Sequence, residues 1–218
     1  MAYLNWDTKT LEDLSPQAIA AMYDNGYLLT RVGRGIMNKS RSFRVRLSAF
    51  EMSSENRRIA RKSEHLALSA HPLPYKDYSW EIGKLAKDFY DGLGATFSAN
   101  KVKEMLTDGD ESNFNTLLIY TDTRTGKPVG YAICYAGKGI LHYSYPFYET
   151  DPSVPSRGLG MMIKAIEYAH KAGYSFMYLG ALQRPTDTYK LQFKGGEWFD
   201  GERWQADTAL LKDILKQP

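Results

Sequence analysis

One stretch restricts the fold more than any other: Leu141 to Lys194, LHYSYPFYETDPSVPSRGLGMMIKAIEYAHKAGYSFMYLGALQRPTDTYKLQFK. Its aromatic, β-prone start (Leu141 to Tyr148) runs into a Pro-containing loop, and a helix is predicted to begin near Arg157. Leu159, Met162, Ile163, Ile166 and Ala169 recur at the i, i+3, i+4, i+7 spacing of one buried helical face. Lys171-Ala-Gly173 ends that helix, because glycine takes the left-handed position after a helix without strain. A strand over Tyr174–Leu179 then stops at Gly180. The product is a strand–turn–helix–strand unit with a small-residue turn, Arg157-Gly-Leu-Gly160, where the helix starts.

Such a turn carries its own chemistry. The first backbone N–H groups of a helix lack internal partners, and the helix dipole adds partial positive charge there. Gly158 and Gly160 have no side chains to keep a phosphate away, and Arg157 offers a planar fork of donors. A pyrophosphate or a nucleic-acid 3′ end suits that combination. The competing reading is that both glycines only ease a tight turn and close helix packing.

The order of motifs resembles a known family. Tyr143-x-x-x-Phe147-Tyr148-x-x-Asp151-Pro152 precedes Arg157-x-Leu159-Gly160, then Ile163-x-x-Ile166-Glu167-x-Ala169, then Tyr178-Leu179-Gly180 and Tyr189-Lys190-x-x-Phe193. This series is similar to the C-terminal half of the arginyl-tRNA–protein transferases and the bacterial aspartate/glutamate leucyltransferases. The resemblance implies an α+β, GNAT-like acyltransferase fold, with a mixed, mainly antiparallel sheet flanked by helices, plus a small basic N-terminal module. It also implies transfer of an amino acid, arginine or leucine, from charged tRNA to the α-amine of a protein or peptide, with no other cofactor. Two departures stand out. The family usually carries a longer, cysteine-bearing segment where this chain has Ala181 to Thr188, and a cysteine cluster where this chain has Gly33 to Ser42. No metal cluster is therefore expected.

Charge is unevenly distributed. Between Arg31 and Lys62 there are ten positive residues and two carboxylates, Glu51 and Glu55, while the whole chain carries only +3. The basicity is local, which favours an anionic partner on one side. Phe43, Val45 and Leu47 alternate with Arg44 and Arg46, so a strand would bury one set and present the arginines. Ser53 onward reads as a capped helix with Arg57, Arg58, Arg61 and Lys62 on one side. A solvated, salt-bridged face is the ordinary meaning of such a run. The family carries a similar Arg-Val strand, Phe and Ser-x-x-x-Arg-Arg helix, which implies that Arg44, Arg46, Arg57, Arg58, Arg61 and Lys62 contact tRNA, mostly through phosphates.

The remaining signals bound the molecule. At 218 residues the chain can bury an ample core, as one large domain or two small ones. His71-Pro-Leu-Pro74 is the best break, giving an N-terminal module over 1–74 and a transferase domain over 75–218. Ser15-Pro16 starts a helix that Asn25-Gly26 closes, and Tyr27–Val32 reads as a strand. Helices are expected over Tyr78–Tyr90 and Ser98–Leu106, strands over Phe114–Thr121 and Val129–Ala136, a hairpin around Asp200-Gly201 and a terminal helix over Asp207–Leu215. The single cysteine, Cys134, excludes an internal disulfide and reads as core packing; the four histidines show no metal-like spacing. No membrane-length apolar run or signal-peptide pattern is present, so the expectation is a cytoplasmic protein with no membrane partner.

Aminoacyl transfer needs little acid–base chemistry. An α-amine has a pKa of about 7.7–8.0, so part of it is neutral at cytoplasmic pH. Positioning and oxyanion stabilisation are the main tasks. Within the resemblance, Arg157, Gly158, Leu159 and Gly160 would hold the 3′-terminal phosphate region. Tyr148 and Asp151 would orient the donor's α-amino group or accept a proton. Tyr178, Gly180, Tyr189 and Lys190 would line the acceptor crevice, with Tyr189 among the catalytic candidates. Two alternatives stay open: an acetyl-CoA-dependent N-acetyltransferase, whose Arg/Gln-x-x-Gly-x-Gly/Ala signature fails at Met162, and a non-catalytic tRNA- or peptide-binding protein.

Overall fold

The computed structural model describes residues 4–154 and 156–216. In chain order its elements are β1 (Asp7–Thr10), α1 (Pro16–Asp24), β2 (Tyr27–Leu29), β3 (Ile36–Lys39), β4 (Ser42–Arg46), α2 (Ser54–Lys62) and β5 (Leu66–Pro72). There follow α3 (Trp80–Gly92), α4 (Ala99–Thr107), β6 (Thr116–Asp122), β7 (Lys127–Gly137), β8 (Ile140–Tyr148), α5 (Arg157–Lys171) and β9 (Phe176–Ala181). A 3-10 segment (Pro185–Gln192), β10 (Gly196–Phe199), β11 (Trp204–Gln205) and α6 (Ala209–Lys216) complete the chain.

Local chemistry sets many of these boundaries. Ser15 caps α1 by accepting from the Ala18 N–H at 3.3 Å, with Pro16 at the first helical position. Ser98 caps α4 through the Lys101 N–H in the same way. The predicted apolar face of α5 is the buried one: Met162, Ile163, Ile166 and Ala169 are covered and Leu159 is half-covered. The hairpin at Asp200-Gly201 also forms, as β10 and β11.

The chain divides into two compact units that do not follow the break expected at residue 74. One unit comprises 1–54, 137–142 and 169–218; the other comprises 55–136 and 143–168. Strand pairing explains the difference. In the first unit β4 lies between β10 and β9, antiparallel to both, and β9 runs parallel to Ile140–His142 of β8. A separate antiparallel sheet, ordered β1-β3-β2, completes that unit. In the second unit β5 pairs antiparallel with β6, and β6 with β7. Of the residues assigned to an N-terminal module, β4 and β5 are thus strands in sheets built with later sequence. The expected linker at His71–Pro74 begins within the end of β5, where a proline is tolerated because the strand lies at a sheet edge.

Each unit has its own core. Phe43, Val45, Leu47, Met177, Tyr178 and Trp198 are buried in the first; Leu117, Leu118, Ile133, Phe147, Ile163 and Ile166 are buried in the second. Cys134 is fully buried, and burial pushes its thiol well above the ordinary value, as the packing role requires. Among the described residues no helix is long and apolar enough to cross a membrane.

Candidate functional site

The second unit holds the turn before α5. Arg157 is almost completely buried, and its guanidinium points into its own loop. Nη1 donates to the Glu149 carbonyl at 2.6 Å, and carboxylate oxygens of Glu149 and Asp151 lie 3.7 Å away. Asp151 accepts from the backbone and hydroxyl of Ser153 at 2.8 and 2.7 Å. Those bonds hold its carboxyl below the usual range, which makes it a weak proton acceptor.

The two glycines make room for protein side chains. A Cβ on Gly158 would meet the Tyr148 hydroxyl at 2.4 Å, and one on Gly160 would meet the Ser63 hydroxyl at 2.0 Å. Gly160 thus lets α5 approach the end of α2, and Gly158 gives Tyr148 its place; the Tyr148 ring also lies 4.6 Å from that of Phe89. The packing reading of this turn therefore accounts for both glycines. The expectation that their bare faces admit a phosphate is corrected at these two positions, and Arg157 serves as a strut rather than a displayed fork. Burial also raises the Tyr148 hydroxyl above its ordinary pKa, so it is a donor at neutral pH.

The second unit also carries the basic helix. Asn56 and Ile59 face inward on α2, while Arg57, Arg58, Arg61 and Lys62 are exposed. Arg58 forms a two-point pair with Glu55 at 2.7 and 2.5 Å, an exposed pair of small energetic weight. Arg61 and Lys62 stand in the last turn, where positive charge complements the helix dipole.

In the first unit the strand arginines behave differently. Arg44 is buried between the rings of Phe176 and Trp204, each 3.9 Å from its guanidinium carbon. It donates to Glu197 at 2.8 Å, Tyr178 at 3.0 Å and Asp24 at 3.3 Å. Arg46 is half-exposed and shares Glu197 at 2.8 Å. The predicted alternation is right for Phe43, Val45 and Leu47, but Arg44 is not displayed to a polynucleotide. The reason is topological: β4 is an inner strand, and both of its faces are covered. Tyr178 is corrected for the same reason, since its ring is fully buried against Tyr23 and Trp204 and its hydroxyl accepts from Arg44. Burial pushes that hydroxyl up to about 12.

The other acceptor-side residues sit together at the end of β9. Gly180 has φ +80°, a backbone conformation that suits glycine. Apart from its chain neighbours, a Cβ there would find one near atom, the Lys190 Nζ at 4.0 Å. Lys190 is itself buried, and Nζ donates to the Ala181 carbonyl at 2.8 Å. Tyr189 is exposed, with its ring 5.8 Å from the same Nζ. His142, one of the four histidines without metal-like spacing, is buried, with Nδ1 2.8 Å from the Tyr23 hydroxyl. Burial, helped by the positive charge of Lys190, pushes it down to about 3, so its ring is neutral. Sequence reasoning missed this grouping of His142 with Lys190. A histidine at a strand position with aromatic neighbours was the only hint.

No family model matches the chain. It is 29% identical over 183 residues to an aspartate/glutamate leucyltransferase of Ruegeria pomeroyi, which bears out the resemblance carried by the motifs. That match covers 81% of this chain and 66% of the relative, so the chain spans just under two thirds of that protein's length. Among solved structures, FemX superposes with a TM-score of 0.51 at 10% identity, covering 92% of this chain and 70% of FemX. A GCN5-related glucosamine N-acetyltransferase region of a fungal multi-domain GH3 β-N-acetylglucosaminidase gives 0.50 at 11% identity, over 93% of this chain and 23% of that one. The fold is GNAT-like.

Proposed function

We propose that the protein is an aminoacyltransferase that takes an amino acid, leucine or arginine, from charged tRNA and delivers it to the α-amine of a protein or peptide. The observation that carries this reading is the extent of the likeness to the leucyltransferase, 183 residues that include most of both units. In this reading Arg57, Arg58, Arg61 and Lys62 of α2 hold the tRNA backbone, where phosphate contacts supply sequence-independent affinity. The acceptor amine enters beside Gly180, Tyr189 and Lys190. Binding both reactants in one orientation supplies most of the acceleration, because the ester is already activated and part of the amine already neutral.

Residue chemistry supports this division of labour. Arg57, Arg58, Arg61 and Lys62 gather exposed positive charge on one short helix. The acetyl-CoA reading gains no comparable support, since Met162 is bulky and buried where that signature has a small residue. The test is incubation of the protein with tRNAs charged with labelled leucine or arginine and peptides of varied N-terminal residues, read by mass spectrometry. A peptide heavier by one leucyl or arginyl residue is expected. Acetylation from acetyl-CoA with no transfer from any charged tRNA would replace this reading.

A further inference from the structure

Lys190 is a buried amine with an incomplete set of partners. Its Nζ has three bonding positions beyond its stem, and among the described residues one is used, by the Ala181 carbonyl. What lies beside it is the side-chain-free face of Gly180. Burying a lysine that forms no ion pair among the described residues is costly. The groups that act on it are few. Asp187 and Arg184 lie on or next to its own segment, and His142 on β8 is held neutral. Lys212 and Asp213 of α6 are exposed.

Resting on the aminoacyl-transfer reading, we infer that Lys190 is a catalytic residue that shuttles the proton between acceptor and donor, with the acceptor nitrogen seated on the bare face of Gly180. In its neutral form the Lys190 amine takes a proton from the acceptor nitrogen as the new C–N bond forms. When the tetrahedral adduct collapses, the ester C–O bond breaks and the departing ribose oxygen receives that proton from the Lys190 ammonium. The lysine ends as it began, and the products are an amide and an uncharged ribose hydroxyl. Burial supports this role by pushing the amine below the ordinary lysine value, against the opposing pull of Asp187 and with help from Arg184. The Ala181 carbonyl accepts from the nitrogen in both protonation states and so keeps it in place.

The experiment follows single-turnover transfer from charged tRNA against pH, with a peptide hydrazide as acceptor. A hydrazide stays neutral across the range, so the acceptor contributes no limb of its own. The wild-type rate is expected to rise with pH along one limb, centred below the ordinary lysine pKa of about 10.4. Lys190→Met should lose that limb and fall by about 10²–10⁴-fold, the usual range for general acid–base help, with affinity for charged tRNA kept. Lys190→Arg keeps a donor and a charge but cannot deprotonate, so it should be as slow as the Met variant. If Lys190→Met does not fold, the arginine variant decides. A limb that persists in either variant, or a rate restored by arginine, overturns the shuttle while leaving the transferase reading standing. A wild-type protein that transfers nothing from charged tRNA overturns both.

Discussion

At the scale of single residues, the chain uses glycine for two opposite ends. Gly158 and Gly160 are filled in by Tyr148 and Ser63, whereas Gly180 faces open space and one lysine nitrogen. Gly158→Ala forces the Tyr148 ring aside and should destabilise the fold by about 1–3 kcal/mol, as overpacking does. For a chain of this length that is a shift of roughly 2–4 °C in melting midpoint per kcal/mol. In a double-mutant cycle with Tyr148→Ala, much of that destabilisation should vanish, because the clashing atoms are gone. Independent, additive effects in thermal melts would show that the glycine serves something other than the tyrosine.

At the scale of elements, cations of one sign do different work on β4 and α2. Arg61→Gln/Lys62→Gln should leave stability within about 1 kcal/mol, since both side chains are exposed. Affinity for charged tRNA should fall, and the slope of log affinity against log salt should become shallower by about 0.7–0.9 for each phosphate no longer neutralised. Arg44→Gln should do the reverse, destabilising the fold by about 1–3 kcal/mol, because Glu197 and the Tyr178 hydroxyl each lose a buried partner while Arg46 still holds Glu197, and leaving the salt slope unchanged. Filter binding across a salt series, paired with urea melts, separates the two. This contrast also marks how far the sequence could be read. Helices α1, α3, α4 and α5 were legible because apolar spacing and serine caps are local signals. The inward turn of Arg44 was not, because alternation along Ser42–Arg46 fixes which residues share a face but not that Phe176 and Trp204 will cover the second face. The strand β5 was hidden by Pro72 and Pro74, which read as punctuation. The turn at Arg157 was legible as a turn, yet the side chains that fill it, Tyr148 and Ser63, come from 10 and 97 residues upstream of Gly158 and Gly160.

At the scale of the whole molecule, the two units are woven from discontinuous segments, so cutting at the apparent linker divides both. A fragment of residues 75–218 lacks β4, which pairs with β9 and β10, and β5, which pairs with β6. It should show no cooperative thermal unfolding transition by circular dichroism. A sharp transition in 75–218 alone would mean that the late strands close without their early partners.

The position of β4 between β9 and β10 has a consequence for how the protein is made. Ribosomes deliver the chain from its amino end, so Ser42–Arg46 emerges long before Phe176–Ala181 and Gly196–Phe199 exist. Its apolar residues, Phe43 and Val45, must wait uncovered until β9 and β10 have been made, exposed to whatever holdase stands at the exit tunnel. Unit one therefore cannot close until its late strands exist, and β4, though made early, is among the last strands to find its neighbours.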